Sequence, residues 1–207
     1  MSDGTDIGAT SPQNLFTVEH RVPTAEREAR NGHRGGVLWF TGLSGAGKST
    51  LAFSLDEALF ADGYHTFVLD GDNMRRGINA DLGFSPAHRS ENIRRVGEVA
   101  ALFAASGTIC ISAFISPYRA HRAQARAAAG DDFHEIYVRA TLETCERRDP
   151  KRLYERARAG EIANFTGIDD PYEAPRAPEL VVDTDRLSVE ESVAKVRAYV
   201  HQAFRLR

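Results

Sequence analysis

Apolar runs of strand length recur along the chain, and segments with helical spacing lie between them. The first run is GGVLWFT, opening at Gly35, a compact apolar stretch suited to a buried strand. YHTFVLD, TICISAFIS, FHEIYVRA and PELVVDT repeat the pattern, and their Val, Ile and Phe content favours strands. Between them, STLAFSLDEALFADG places Leu51, Leu55 and Leu59 on one helix face, with Gly63 as the stop. ENIRRVGEVAALFAASG spaces Ile93, Val96, Ala100 and Phe103 by three and four and ends at Gly107. SVEESVAKVRAYVHQAF opens with a capping box from Ser188 to Glu191 and carries a stripe of Val189, Val193, Val196 and Val200. TAEREARNGHRG predicts a short polar helix ending at Gly32. Strands alternating with helices predict an α/β fold of three layers, with a mainly parallel five-stranded sheet covered by helices on both faces.

Composition narrows the class. With 207 residues the chain supports one medium domain with a core. Net charge is -3, so non-specific nucleic-acid binding is not expected, and any anionic ligand must be held by local charge. Cys110 and Cys145 lack metal-type spacing and read as reduced, buried residues. His33, His65, His88 and His121 show no ligand spacing either, and Trp39 and Phe40 read as core. No apolar stretch reaches membrane-span length and the N-terminus has no signal-peptide pattern, so a cytoplasmic protein without a membrane partner is expected. Residues 1–30 read as an N-terminal arm, partly flexible or packed on a neighbour, and 31–207 as the domain. From about 147 to 178 there is no strand character but many arginines, with glycines and prolines, the pattern of a long lid.

Chemistry enters with GLSGAGKST, which matches G-x-x-x-x-G-K-[S/T] between a strand and a helix. Such a P-loop wraps backbone N–H groups and a helix N-terminus around phosphates. Gly42, Leu43, Ser44, Gly45, Ala46, Gly47, Lys48, Ser49 and Thr50 are therefore the candidate ATP site. Lys48 is placed for the β/γ-phosphates and Ser49 for Mg²⁺. Neither D-x-x-G nor N-K-x-D of switch GTPases occurs, and a small P-loop domain with an arginine-bearing lid reads as a small-molecule kinase.

The acceptor half follows from LDGDNMRRG. Asp70 and Asp72 close the second strand, and ligands of open parallel sheets sit beyond the carboxyl ends of the strands. Asp72 suits orientation or deprotonation of a hydroxyl, or Mg²⁺ through water. Arg75 offers a fork for phosphate or sulfate; Asp70 has a weaker claim to the chemistry than Asp72, with bracing of the loop as its alternative reading. In LGFSPAHRSEN, Ser85-Pro86 predicts a helix start, and Arg89 and Asn92 share a face suited to an anion and a sugar or base edge. Phe84 suits stacking on a base or a place in the core. FISPYR ends the third strand and brings Ser116 to the crevice, with Pro117 opening the next helix. Ser116 there reads as a contact to a substrate hydroxyl or phosphate, with the N-cap of that helix as a competing role that can coexist with it.

Together GLSGAGKST, DGDNMRRGINADLGFS, RSENIRRVGEVA, FISPYR, RDPKRLYERARAGEIANFTGIDDPYEAP and VVDT resemble the adenylylsulfate kinase (APS kinase) family, from about Asn31 to the C-terminus. The resemblance implies a P-loop NTPase-type fold, ATP as donor, Mg²⁺, a homodimer, and phosphoryl transfer to the 3′-hydroxyl of adenosine 5′-phosphosulfate. Carried over by residue, it implies that Asp72, Arg75, Arg89 and Asn92 hold the sulfate-bearing nucleotide. Phe84 and Phe165 resemble an aromatic pair that clamps its adenine, Ile115 and Ser116 lie beside the acceptor, and Lys151 contacts the nucleotide. The family serine at Ser116 is commonly labelled a phosphoserine intermediate, although in-line attack needs only positioning and charge neutralisation. The catalytic set is then Ser116, Asp72 and Lys48, with Arg147 or Arg152 screening the transferring group. Arg152 and Asn164 stand where the family usually has glycine. A kinase for another small alcohol and a non-catalytic nucleotide-binding module are the rival readings.

Overall fold

β1 (Gly36–Thr41) is buried along its whole length and forms the middle of the molecule. Described in the computed structural model are residue 16 and residues 18–206. Around β1 the sheet orders β2 (Thr66–Asp70), β3 (Ile109–Ala113), β1, β4 (Phe133–Arg139) and β5 (Leu180–Asp183), all parallel. Successive β1 side chains point to opposite faces. Leu38 and Phe40 enter a core with Leu51, Leu55 and Leu59 of α2 (Lys48–Ala61) and Val196 and Val200 of α8 (Val189–Ala203). Val37 and Trp39 enter the opposite core with Ile93, Val96 and Ala100 of α4 (Pro86–Ala105) and Ala125 of α5 (Arg119–Ala129). A strand buried on both faces is therefore apolar throughout rather than alternating. The expected five-stranded, three-layer α/β fold is present.

Local signals behave mostly as read. Gly32 ends α1 (Thr24–Asn31) with φ 78, and Ser85 caps α4 ahead of Pro86. The capping box of Ser188 and Glu191 closes reciprocally. The stripe on α8 is shifted, however: Val189 is exposed and Ser192 is buried with Val196 and Val200. The first turn is occupied by the capping box, so burial starts one turn later. The expected flexible arm falls largely on residues 1–15 and 17, outside the described residues. The α1 helix is fastened to the domain: Thr24 Oγ1 donates to Ala105 O at 3.0 Å and Asn31 Nδ2 to Gly107 O at 2.9 Å.

Two boundaries move near the crevice. β3 stops at Ala113, three residues short of the end of the apolar run TICISAFIS at Ser116. Ser116 then takes φ 40, a left-handed turn, and α5 starts only at Arg119 with Tyr118 in the N-cap position. Pro117 therefore does not open the helix and Ser116 does not cap it. Between β2 and α4 lies the short α3 (Gly71–Arg76). The 147–178 stretch holds the end of α6 (Leu142–Arg148), α7 (Leu153–Arg158) and turns, with a lone bridge between Thr166 and Asp170.

Candidate active site

The P-loop joins β1 to α2 beyond the carboxyl end of the central strand. A side chain at Gly42 would put its Cβ 2.3 Å from Val138 O. Gly45 has φ 75, and a Cβ there would meet Cys145 O at 2.8 Å. Both positions thus need glycine for close approach to the neighbouring chain. Lys48 begins α2 and is buried. Its Nζ donates to Gly42 O at 2.9 Å and Leu43 O at 2.7 Å. Burial pushes its pKa down to about 8. The next residue, Ser49, donates Oγ–H to Asp70 Oδ2 at 2.7 Å.

Three other segments wall the loop. Tyr154 donates its hydroxyl to Ser44 O at 2.9 Å. Thr184 Oγ1 donates to Ala46 O at 2.9 Å, and Arg148 donates to Thr184 O at 2.6 Å. Arg147, Arg148, Arg152 and Tyr154 help line a cavity of about 340 Å³ on this side. Motif spacing did not single out Tyr154, Arg148 or Asp70 for the donor side. Their signals are position only: the lid for the first two, a strand's carboxyl end for the third.

Of the two carboxylates expected to close the second strand, only Asp70 ends β2; Asp72 lies in the first turn of α3. Asp70 is buried; besides Ser49 it accepts the Asp72 N–H through Oδ1 at 3.0 Å and so caps α3. Asp72 points the other way, is exposed, and pairs with Lys151 of the lid. Arg75 donates to Leu82 O at 3.1 Å and Gly83 O at 3.0 Å, and its guanidinium lies 4.4 Å from the Phe84 ring centroid. Burial lowers the Arg75 pKa. Arg89 donates Nε–H to Phe84 O at 2.9 Å, Nη1–H to Asp170 Oδ2 at 2.7 Å, and Nη2–H to Asn164 O. Asn92 is buried and accepts from Asn79 Nδ2 at 3.0 Å.

Phe84 and Phe165 have unlike settings. Phe84 is 68% exposed, whereas Phe165 is buried edge-on to Tyr154 at 5.0 Å between centroids. Arg89 links their segments, since it holds the carbonyls of Phe84 and Asn164. Ile115 O accepts from Thr41 Oγ1 at 2.8 Å. Ser116 is 2% exposed and its Oγ accepts Trp39 Nε1–H at 3.1 Å. Arg122 donates to Ser116 O at 2.7 Å and to Glu173 O at 2.7 Å, tying that turn to the lid's end. Trp39 is thus core, as read, and also the partner of this hydroxyl.

Of the two lid arginines proposed for charge screening, Arg152 is exposed and bidentate to Glu155. Arg147 donates to Thr144 Oγ1 at 3.2 Å. Arg152 and Asn164, the two positions where the resemblance implies glycine, have φ 53 and φ 56. Both are left-handed, the conformation that glycine adopts without strain and that asparagine tolerates better than arginine. Among the described residues no cluster of His, Cys, Asp and Glu forms a metal cage, and no helix is long and apolar enough to cross a membrane.

The P-loop lies on one side, Arg75, Arg89 and Phe84 on the other, and residues of the 147–178 stretch touch both: Tyr154 bonds Ser44, Lys151 pairs with Asp72, and Asp170 pairs with Arg89. Residues 34–183 match the family model described as adenylylsulphate kinase. An adenylyl-sulfate kinase of Geotalea uraniireducens is 61% identical over 190 residues, covering 91% of each chain. A probable adenylyl-sulfate kinase of Halalkalibacterium halodurans is 54% identical, covering 94% of this chain and 97% of its own. Among solved structures, the Mycobacterium tuberculosis APS kinase CysC in complex with AMPPNP and APS superimposes with a TM-score of 0.75. It is 51% identical, over 79% of this chain and 95% of that one.

Proposed function

This chain belongs to the adenylylsulphate kinase family, and we propose that it transfers the γ-phosphoryl group of ATP to the 3′-hydroxyl of adenosine 5′-phosphosulfate, giving 3′-phosphoadenylyl sulfate and ADP. The observation that carries the reading is the division of labour at the end of β2. Asp70 turns toward Ser49 of the phosphate loop, while Asp72, two residues on, turns toward the lid and the acceptor side.

The P-loop amides and Lys48 hold the β/γ-phosphates, and Lys48 balances charge as it develops on the leaving oxygen. Asp72 takes the proton of the attacking 3′-hydroxyl. The new bond joins that oxygen to the γ-phosphorus; the bond to the β,γ-bridging oxygen breaks and its electrons leave with ADP. Arg75 and Arg89 bind the anionic portion of the acceptor, with Asn92, Ile115 and Lys151 beside it and Phe84 and Phe165 at its base. Ser116 positions the acceptor and carries no phosphoryl group. Lid closure, with Arg147 as the screening cation, keeps water from the γ-phosphoryl group.

A hydroxyl and a carboxylate in contact, Ser49 Oγ and Asp70 Oδ2, are the hard oxygen donors that suit Mg²⁺ alongside phosphate oxygens. The donor set fits, and Ser49 and Asp70 would hold the ion. When bound, it neutralises phosphate charge. The assembly state implied by the family resemblance is a homodimer; light scattering on the purified chain checks it, and a monomer overturns it.

The deciding experiment measures ADP release with and without adenylyl sulfate, and with sugar alcohols as alternative acceptors. Release that depends on adenylyl sulfate supports the reading. Release that depends on another alcohol, or ATP binding with no turnover, overturns it.

A further inference from the structure

One carboxylate ties the acceptor side together. Asp170 lies in the lid segment NFTGIDDPYE, and its side chain is 19% exposed. Oδ2 accepts Nη1–H of Arg89 at 2.7 Å, and Oδ1 accepts the Tyr118 hydroxyl at 2.6 Å. The main chain works as well: Asp170 O accepts the Gly167 N–H at 2.7 Å, and Asp170 N–H donates to Phe165 O at 3.2 Å. Arg89 in turn holds Phe84 O and Asn164 O. One residue thus sets the plane of the Arg89 guanidinium, the turn that carries Phe165, and the loop that carries Ile115 and Ser116. These come from segments far apart in the chain, and no other described carboxylate joins all three.

We propose that Asp170 is the positioning residue of the acceptor site: its carboxylate orients Arg89 and fastens the lid to the Ile115–Tyr118 loop. The proposal rests on the phosphotransfer reading above for what the site binds. A guanidinium has five donors in a fixed plane; with Nε on Phe84 O, Nη1 on Asp170 and Nη2 on Asn164 O, the plane is fixed and only the N–H groups not used in those bonds remain for a ligand anion. Charge-assisted bonds to a carboxylate are about twice as strong as neutral ones, which suits a part that must hold while a lid opens and closes. The neighbouring Asp169 is exposed and sets the contrast: its N–H donates to Phe165 O at 3.1 Å, but none of the described hydrogen bonds uses its carboxylate.

The test compares Asp170→Asn with Asp169→Asn, which removes the same charge one residue away. In Asp170→Asn the carboxylate charge is gone and an N–H₂ group replaces one acceptor oxygen, so the bond to Arg89 is no longer charge-assisted and Tyr118 can keep its contact only by accepting instead of donating. KM for adenylyl sulfate should rise about tenfold or more while KM for ATP stays within about twofold. Tyr118→Phe should shift it in the same direction, and the double variant should fall short of additivity because both changes cut one linkage. Amide hydrogen exchange across residues 164–170 should speed up in Asp170→Asn and not in Asp169→Asn. Equal effects of the two variants on KM, or parallel rises in both KM values, overturn the proposal. A fall in KM for adenylyl sulfate overturns it too, since Asp170 would then be competing with the acceptor for Arg89. The exchange arm is independent of the substrate assignment. Unchanged exchange sinks the proposal even in a chain that turns over adenylyl sulfate, and failure of the unaltered chain to use that acceptor sinks the functional reading instead.

Discussion

The Trp39 indole donates its N–H to the hydroxyl of Ser116 at 3.1 Å, joining the central strand to a turn held at φ 40. The hydroxyl is buried and already engaged, so it is poorly placed to attack a phosphoryl group and leave with it. Incubation with ATP alone should give no phosphorylated Ser116 by mass spectrometry. Ser116→Ala should keep kcat within about tenfold. The change strands a buried indole N–H, which costs about 1–3 kcal/mol and should show as a lower unfolding midpoint. A phosphoserine peptide that forms and decays at the rate of turnover would reverse this assignment.

Asp72→Ala should lower kcat about 100-fold or more with little change in KM for ATP, as expected for a group that acts on the acceptor hydroxyl. Lys151→Ala frees the carboxylate from its lid partner. It should weaken acceptor binding and leave much of kcat. Steady-state kinetics on both variants separates the roles; an unchanged kcat in Asp72→Ala removes that residue from the chemistry.

Burial lowers the Lys48 pKa to about 8, and only the ammonium form attracts phosphate. The kcat/KM for ATP should therefore be level below about 8 and decline above it, because that ratio reports the free enzyme. The kcat profile should decline later, since bound polyphosphate favours the charged lysine. Stability has the opposite sign. Between about 8 and the ordinary lysine range, the unfolded chain holds a proton that the folded chain has released. Lys48 then penalises folding fully below that window and progressively less as pH rises through it. Lys48→Met should abolish turnover and remove this part of the pH dependence, as read by thermal melts without nucleotide.

Arg152 occupies a left-handed position at φ 53; its main-chain N–H donates to Asp149 O at 3.0 Å, and its side chain makes an exposed pairing to Glu155. Arg152→Gly should raise the unfolding midpoint by about 2–4 °C. Asn164→Gly should change it less, because asparagine already tolerates φ 56. Differential scanning calorimetry checks both, and a lower midpoint in Arg152→Gly would mean that its ion pair outweighs the backbone strain.

What was legible in the chain was whatever its short-range pattern encodes. Apolar runs of strand length and three-and-four spacing determined the α/β class, because burial on both faces demands it. GLSGAGKST determined the phosphate loop, because glycine, lysine and serine act there within one turn of backbone. The capping box at Ser188 and the stop at Gly32 are likewise local. Tertiary structure alone decided which group each polar side chain meets. It turned Asp70 to Ser49 and Asp72 to Lys151 although the two carboxylates stand two residues apart. It turned Ser116 inward to Trp39 rather than to a helix N-terminus, and it put Asp170 between Arg89 and Tyr118. Arg152 and Asn164 stood out in sequence only as departures from a glycine pattern implied by the resemblance; the fold shows that both positions are left-handed, where glycine would be unstrained. The physical reason is the same throughout. Periodicity and glycine are properties of neighbouring residues, whereas a directional hydrogen bond depends on where packing brings a partner from a distant part of the chain.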